Sequence, residues 1–299
     1  MNHNPPKNIS TRLSILGLFL GAVGFLLAQE GHQPGHKYTP GRAQIRTYFF
    51  KEADKKMGYS IYVPSGYDKK KSYPLMVALH GLGGSDRGMI RSRGLTRLAQ
   101  QHGYIVVAPM GYSERGWYGA DNPFARLMTS RRDLEWSEKD VMNVLSITRK
   151  DLSVDAKRIY LMGHSMGGHG ALTIGLKNPD MYRSISAFAP ICSPINCPWG
   201  QKALPRYLGP EESAWQAYDA TALVGSVDTL PRTKILIDQG MADQFLKKEL
   251  HPHLFEAACE ARGIDLELRC HDGYDHGYYF ISTFMTEHLR WHAERLSRA

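Results

Sequence analysis

The run Gly163-His164-Ser165-Met166-Gly167 sets one serine between glycines, after a short apolar stretch and before a helix-like one. A serine at such a strand-to-helix turn has a strained backbone and an Oγ lifted clear of the neighbouring chain. The glycines fit that reading, because side chains there would collide with adjacent elements. A hydroxyl is a weak nucleophile and needs a base that a third group orients. Two acids, Asp238 and Asp243, stand in ILIDQGMADQF, and two histidines, His271 and His276, stand in HDGYDHGYYF. Asp243 is the better acid, since it lies in the loop, whereas Asp238 sits at a strand end and can cap or pair locally. His276 is favoured over His271, which is nearer its strand.

Attack on a carbonyl builds negative charge on oxygen, and that charge needs preset donors. The Met166 N–H follows Ser165 at a helix N-terminus, where the dipole favours negative charge. A second donor is expected from the glycine-rich loop HGLGGSD, His80 to Asp86, with the Leu82 amide as the choice. His80 is expected to order that loop, and His164 and His169 to be packing or surface groups. Trp117, Tyr118, Trp199 and Tyr278 are candidates to line an acyl or aromatic pocket. For each of them ordinary packing is an equal reading.

These residues need elements to hold them. RTYFF and YSIYVP read as an early strand pair, and YPLMVALHG, YIVVAP, RIYLMG, SISAFAP, TKILIDQG and IDLELRC as further strands. Between them lie helix patterns: GLTRLAQQHG, closed by Gly103; EKDVMNVLSITRKDL, with Val141, Val144, Leu145 and Thr148 at helical spacing; and GGHGALTIGLKN. FLKKELHPHLFEAACEARG reads as a helix interrupted at Pro252, and GYYFISTFMTEHLRWHAERL as a long closing helix. Strands alternating with helices predict a mainly parallel sheet with helices on both faces. With G-x-S-x-G at a strand-to-helix turn, the prediction is the α/β-hydrolase fold, whose chain order is serine, acid, histidine.

Composition agrees with one large globular domain: 299 residues, 42% hydrophobic and 22% charged, without repeats. Residues 1–28 differ, with Lys7 and Arg12, no acid, and an apolar run from Leu13 to Ala28. They read as an export signal, or else as an N-terminal membrane anchor, followed by a flexible leader over 29–40. The run is slightly short for a relaxed membrane span, which needs about 20 residues. The catalytic domain is then 41–299, with a cap-like insertion around 191–230 where no strand pattern appears. The net charge of +8 is spread, without an aromatic-interleaved motif, so no nucleic-acid partner is expected. Neither metal nor cofactor is expected, because no Cys/His spacing resembles a zinc site. Cys192 and Cys197 are close enough in sequence to bridge, though nothing requires it. The expected partner is a small-molecule ester, and a homodimer is left open.

The segments GHSMGGHGAL, AFAPICSPINCPWGQKAL, YLG, AYDAT, LIDQGMADQFL and GYDHGYYFISTF strongly resemble the S-formylglutathione hydrolase (esterase D) family, from about Arg158 to Leu296. The resemblance implies a triad of Ser165, Asp243 and His276, with the Leu82 and Met166 amides as oxyanion donors. In the N-terminal half HGLGGSDRGM stands where that family has a SGLTCTDENF-like loop, with Gly84 at about the position of its cysteine. There, YSIYVPSGYDKKKSYPLMVALHGLGGS and YIVVAPMGYSERGWYG look like secreted feruloyl-esterase or polyhydroxybutyrate-depolymerase relatives. The expectation is therefore a secreted serine carboxylesterase acting on short-chain or aryl esters through an acyl-enzyme. The alternatives are an S-formylglutathione hydrolase and a secreted acyltransferase on the same fold.

Overall fold

The runs YPLMVAL and IVVAP carry almost no polar side chain, so each can be a strand only if both its faces are covered. They are strands β3 (Tyr73–Leu79) and β4 (Ile105–Pro109), buried along their whole length. The computed structural model describes residues 38–92, 94–112, 131–226 and 233–295. Six further strands complete one sheet: β1 (Ala43–Phe50), β2 (Lys55–Tyr62), β5 (Val154–His164), β6 (Ser184–Phe188), β7 (Lys234–Gly240) and β8 (Leu266–His271). Their order is β1-β2-β4-β3-β5-β6-β7-β8. The β1–β2 and β2–β4 pairs are antiparallel and the rest parallel. This is the α/β-hydrolase fold that the strand–helix alternation predicts.

Helices α1 (Asp86–Ile90) and α2 (Leu95–His102) lead from β3 to β4, and α3 (Arg131–Asp151) leads from β4 to β5. The last of these begins seven residues before Glu138, where the predicted helix starts. Helix α4 (Met166–Lys177) follows β5, and α5 (Pro198–Leu208) and α6 (Ala220–Ser226) lie between β6 and β7. After β7 come a π-turn over Leu246–Leu250 and α7 (Pro252–Arg262). Pro252 starts that helix, where its missing N–H has no intrahelical partner to lose. Helix α8 (Tyr278–Glu294) follows β8. Among the described residues, no helix is long and apolar enough to cross a membrane. The export or anchor reading of residues 1–28 lies outside the described residues.

The strand order sets the site. Strand β3 lies between β4 and β5, so the chain leaves it toward one side and returns on the other. Such a reversal opens a crevice at the carboxyl ends of the strands. The loop His80–Asp86 emerges there from β3, and Ser165 emerges beside it from β5.

The core also stores titratable groups that oppose acid. Burial holds the pKa of His164 down at about 3 and that of His169 at about 4, and lowers those of His288 and His292. Burial raises two acids, Asp140 to about 7 and Asp219 in the same direction. A histidine with a depressed folded pKa takes up a proton on unfolding once pH falls below its unfolded value, which costs stability. The raised acids do the opposite, but four histidines outnumber two acids. Unfolding between pH 6.5 and 5 should therefore take up protons net. Stability, read from urea unfolding, should fall with falling pH by about 1.4 kcal/mol per unit for each proton taken up.

Candidate active site

Ser165 occupies the single-residue corner between β5 and α4, with φ 55° and ψ −116°. That conformation is strained for a residue with a Cβ, at roughly 1–3 kcal/mol, and the flanking packing must impose it. The glycines explain how. A Cβ on Gly163 would lie 2.0 Å from the Gly167 carbonyl oxygen, and one on Gly167 would lie 2.4 Å from that of Leu79. The first turn of α4 is thus pressed against the end of β3, and only bare backbone fits. Ser165 N–H donates to the Phe188 carbonyl on β6 at 2.8 Å, which pins the corner from the other side.

Three side chains from three separate loops meet at this corner. The imidazole Nε2 of His276 is 2.8 Å from Ser165 Oγ, and its Nδ1 is 2.6 Å from Asp243 Oδ2. The carboxylate accepts, so Nδ1 carries the proton and Nε2 is free to accept from the serine hydroxyl. Asp243 also accepts from the Phe245 N–H at 2.8 Å and from Gln239 Nε2 at 3.2 Å. Burial works to raise the Asp243 carboxyl. The hydrogen bond and charge of His276, with the Phe245 and Gln239 donors, outweigh it and hold the pKa below its ordinary value.

The two competing residues are brought together elsewhere. Asp238 faces Arg269 across the β7–β8 pairing and takes two of its N–H groups at 2.6 and 2.8 Å. His271 and His288 lie 3.3 and 3.2 Å from the same carboxylate. Burial would raise Asp238, but bonds from His288 and Arg269 hold it far below the carboxylate range. This cluster ties β7, β8 and α8 behind the loops that carry Asp243 and His276.

The loop after β3 lies against Ser165. A Cβ on Gly81 would be 3.3 Å from the His164 carbonyl oxygen and 2.9 Å from its ring Nδ1. Both ring nitrogens of His80 sit 2.8 Å from carbonyl oxygens, those of Gly81 and Met110, so the ring ties the loop to the segment after β4. Met166, the residue after the serine, is the first residue of α4.

Sequence reasoning named Trp199 but missed Phe245 and Gln239. Phe245 sets its ring edge-on to His276 at 5.0 Å, and Trp199 of α5 lies 4.9 Å from Phe245. His164 is buried, in line with the packing reading, and its ring is 5.0 Å from that of His276. Gln239 holds the acid. Only Phe245 left a signal, standing two residues after Asp243. Tyr278 lies 6.0 Å from His164, and Trp117 and Tyr118 lie outside the described residues. The four cysteines are free thiols, so Cys192 and Cys197 are not bridged. Among the described residues, no three His, Cys, Asp or Glu side chains are grouped to hold a metal ion.

The family model Esterase, described as “Putative esterase”, matches residues 51–291. The chain belongs to this esterase family. An S-formylglutathione hydrolase of Rattus norvegicus is 43% identical over 256 residues, covering 81% of this chain and 90% of the relative. Among solved structures, an S-formylglutathione hydrolase from Agrobacterium tumefaciens is 35% identical with a TM-score of 0.75, over 87% of this chain and 97% of that one. The likeness therefore reaches past the C-terminal blocks into the N-terminal half. A ferulic acid esterase from Anaeromyces mucronatus, at 21% identity and a TM-score of 0.64 over 89% and 94%, shares the fold. This esterase is accordingly a serine hydrolase acting on ester or thioester bonds.

Proposed function

We propose that this esterase cleaves carboxylic esters and thioesters through an acyl-enzyme on Ser165. The observation that carries the proposal is the unbroken hydrogen-bonded chain from Ser165 Oγ through His276 to Asp243. In the proposed cycle Oγ attacks the carbonyl carbon as His276 Nε2 takes its proton. Asp243 holds the ring in that tautomer and stabilises the imidazolium. The Leu82 and Met166 amides receive the oxyanion, each donor worth about 3–4 kcal/mol in the transition state. Collapse expels the alcohol or thiol, which takes the proton back from His276. A water activated by the same ring then frees the acid.

S-formylglutathione is the favoured thioester, supported by relatives of that name aligned over four fifths of the chain. An exported carboxylesterase is the second reading, favoured by the apolar run Leu13–Ala28. In that reading the α5–α6 insertion acts as a cap that brings Trp199 to the site. Comparing kcat/KM for S-formylglutathione with that for p-nitrophenyl acetate separates the readings. The first expects the thioester to exceed the ester by about 100-fold or more, a difference of about 2.7 kcal/mol in transition-state binding. Equal or reversed rates would discard it in favour of the second.

A further inference from the structure

Glu249 is a carboxylate, 8% exposed, that the proposed cycle does not use. A buried carboxylate costs stability unless donors meet it, so its partners show what it holds. Its Oε2 accepts the Trp199 N–H at 2.9 Å. The Cys197 thiol also hydrogen-bonds to it. Burial, and then the Glu249 charge and hydrogen bond, push that thiol up to about 12 against the Gly200 N–H, so it keeps its proton to donate.

Both donors belong to the start of α5. The first N–H groups of a helix have no intrahelical partner and need acceptors from outside. Cys197 is the N-cap and its Sγ takes the Gly200 N–H at 3.4 Å, while Pro198 has no N–H to place. The Trp199 N–H remains, and Glu249, from the π-turn after Asp243, accepts it. A carboxylate also suits the positive end of the helix. The start of α5 is thus anchored to the segment that carries the catalytic acid.

The anchor leads on to the base. Trp199 lies 4.9 Å from Phe245, ring to ring, and Phe245 stands edge-on to His276 at 5.0 Å and 83°. The Phe245 backbone is fixed on both sides. Its N–H donates to Asp243 Oδ1 at 2.8 Å, and its carbonyl takes the Glu249 N–H at 2.9 Å. With Trp199 behind it, the Phe245 ring limits rotation of the imidazole away from Ser165. Small misplacements of a reacting group are costly, about 100-fold for 1 Å.

We infer that Glu249 is a positioning residue: by fixing Trp199 against Phe245 it keeps the His276 ring turned so that Nε2 meets Ser165 Oγ. The inference rests on the Ser165–His276–Asp243 reading. The test is kcat and KM for p-nitrophenyl acetate, with the rate at which a fluorophosphonate labels Ser165, in the full chain and its variants. Glu249→Leu removes the acceptor and should lower kcat and the labelling rate about tenfold each, with KM within about twofold of wild type. Glu249→Gln keeps an oxygen for the Trp199 N–H and should bring kcat back to within about threefold. Phe245→Leu should also lower kcat about tenfold. Glu249→Leu added to it should cost less than about twofold more, because both act along one line of contacts.

A Glu249→Leu variant that loses stability and keeps its kcat would overturn the inference. So would Glu249→Gln as slow as Glu249→Leu, or a full further tenfold loss in the Phe245→Leu background. If Glu249→Leu does not fold, Trp199→Ala takes its place in the cycle, since it leaves the backbone N–H on Glu249 and removes only the ring. The same shortfall from additivity is then expected, and full additivity would overturn the inference. A wild type that neither cleaves the ester nor is labelled on Ser165 would sink the parent reading and the inference with it. An active, labelled wild type with additive variants would sink the inference alone.

Discussion

Replacing Ser165 with alanine should lower kcat/KM for p-nitrophenyl acetate by about 10^4- to 10^6-fold while the protein stays folded. The size follows from what the change removes. Without Oγ no acyl-enzyme forms, and His276 loses the hydroxyl that its Nε2 contacts at 2.8 Å. What survives is binding and the oxyanion amides acting on water attack, which is why the loss is not total. The fold should tolerate the change. Ser165 makes its backbone bonds, Phe188 carbonyl to its N–H and its carbonyl to the His169 N–H, through atoms that alanine keeps. A variant that unfolds, or one that keeps more than about a hundredth of the rate, would count against Ser165 as the nucleophile.

The second large effect belongs to Asp243→Asn, with an expected fall of about 10^4-fold in kcat, or about 5.5 kcal/mol. The neighbours make this replacement worse than a simple loss of charge. Asp243 receives donors on both oxygens: Phe245 N–H on Oδ1, and His276 Nδ1–H with Gln239 Nε2 on Oδ2. An asparagine NH2 group in either place faces a donor. With the NH2 in the Oδ2 place, the contact is relieved when the imidazole moves its proton to Nε2, and the ring can then no longer accept from Ser165. Asp238→Asn is the control. It should leave the rate within a few-fold of wild type, since Asp238 touches neither Ser165 nor His276. It should lower stability by about 2–4 kcal/mol, because the partly buried Arg269 loses its buried partner and keeps only the exposed Glu287. Steady-state kinetics and thermal unfolding of the two variants separate the roles. A rate collapse in Asp238→Asn with stability intact would reverse the assignment of the acid.

Much of this was legible in the sequence, because the chemistry sits at chain features that sequence displays. Gly163 and Gly167 announce a corner where two backbones touch. The choice of Asp243 over Asp238 rested only on position relative to a strand end, and the structure supplies the physical reason. Asp238 still lies in the β7–β8 ladder and is matched to Arg269 by register, whereas Asp243 is free of the ladder and can turn toward His276. The rest depends on contacts between distant segments. Trp199 and Phe245 meet across 46 positions, and nothing in PWGQ or ADQF marks that approach. His164 reads as a variable position of the motif, and only burial beside His276 gives it a neutral ring in contact with the base.

The most direct measurement is treatment of the full chain with a fluorophosphonate, followed by peptide mass mapping and residual-activity assay. The phosphonyl group takes the tetrahedral form that the acyl carbon would pass through on Oγ. The account predicts one adduct per chain on Ser165, activity lost in proportion to labelling, and no adduct in Ser165→Ala. Hydrolysis that persists when Ser165 is fully labelled, or stoichiometric labelling of another residue that abolishes activity, would contradict it.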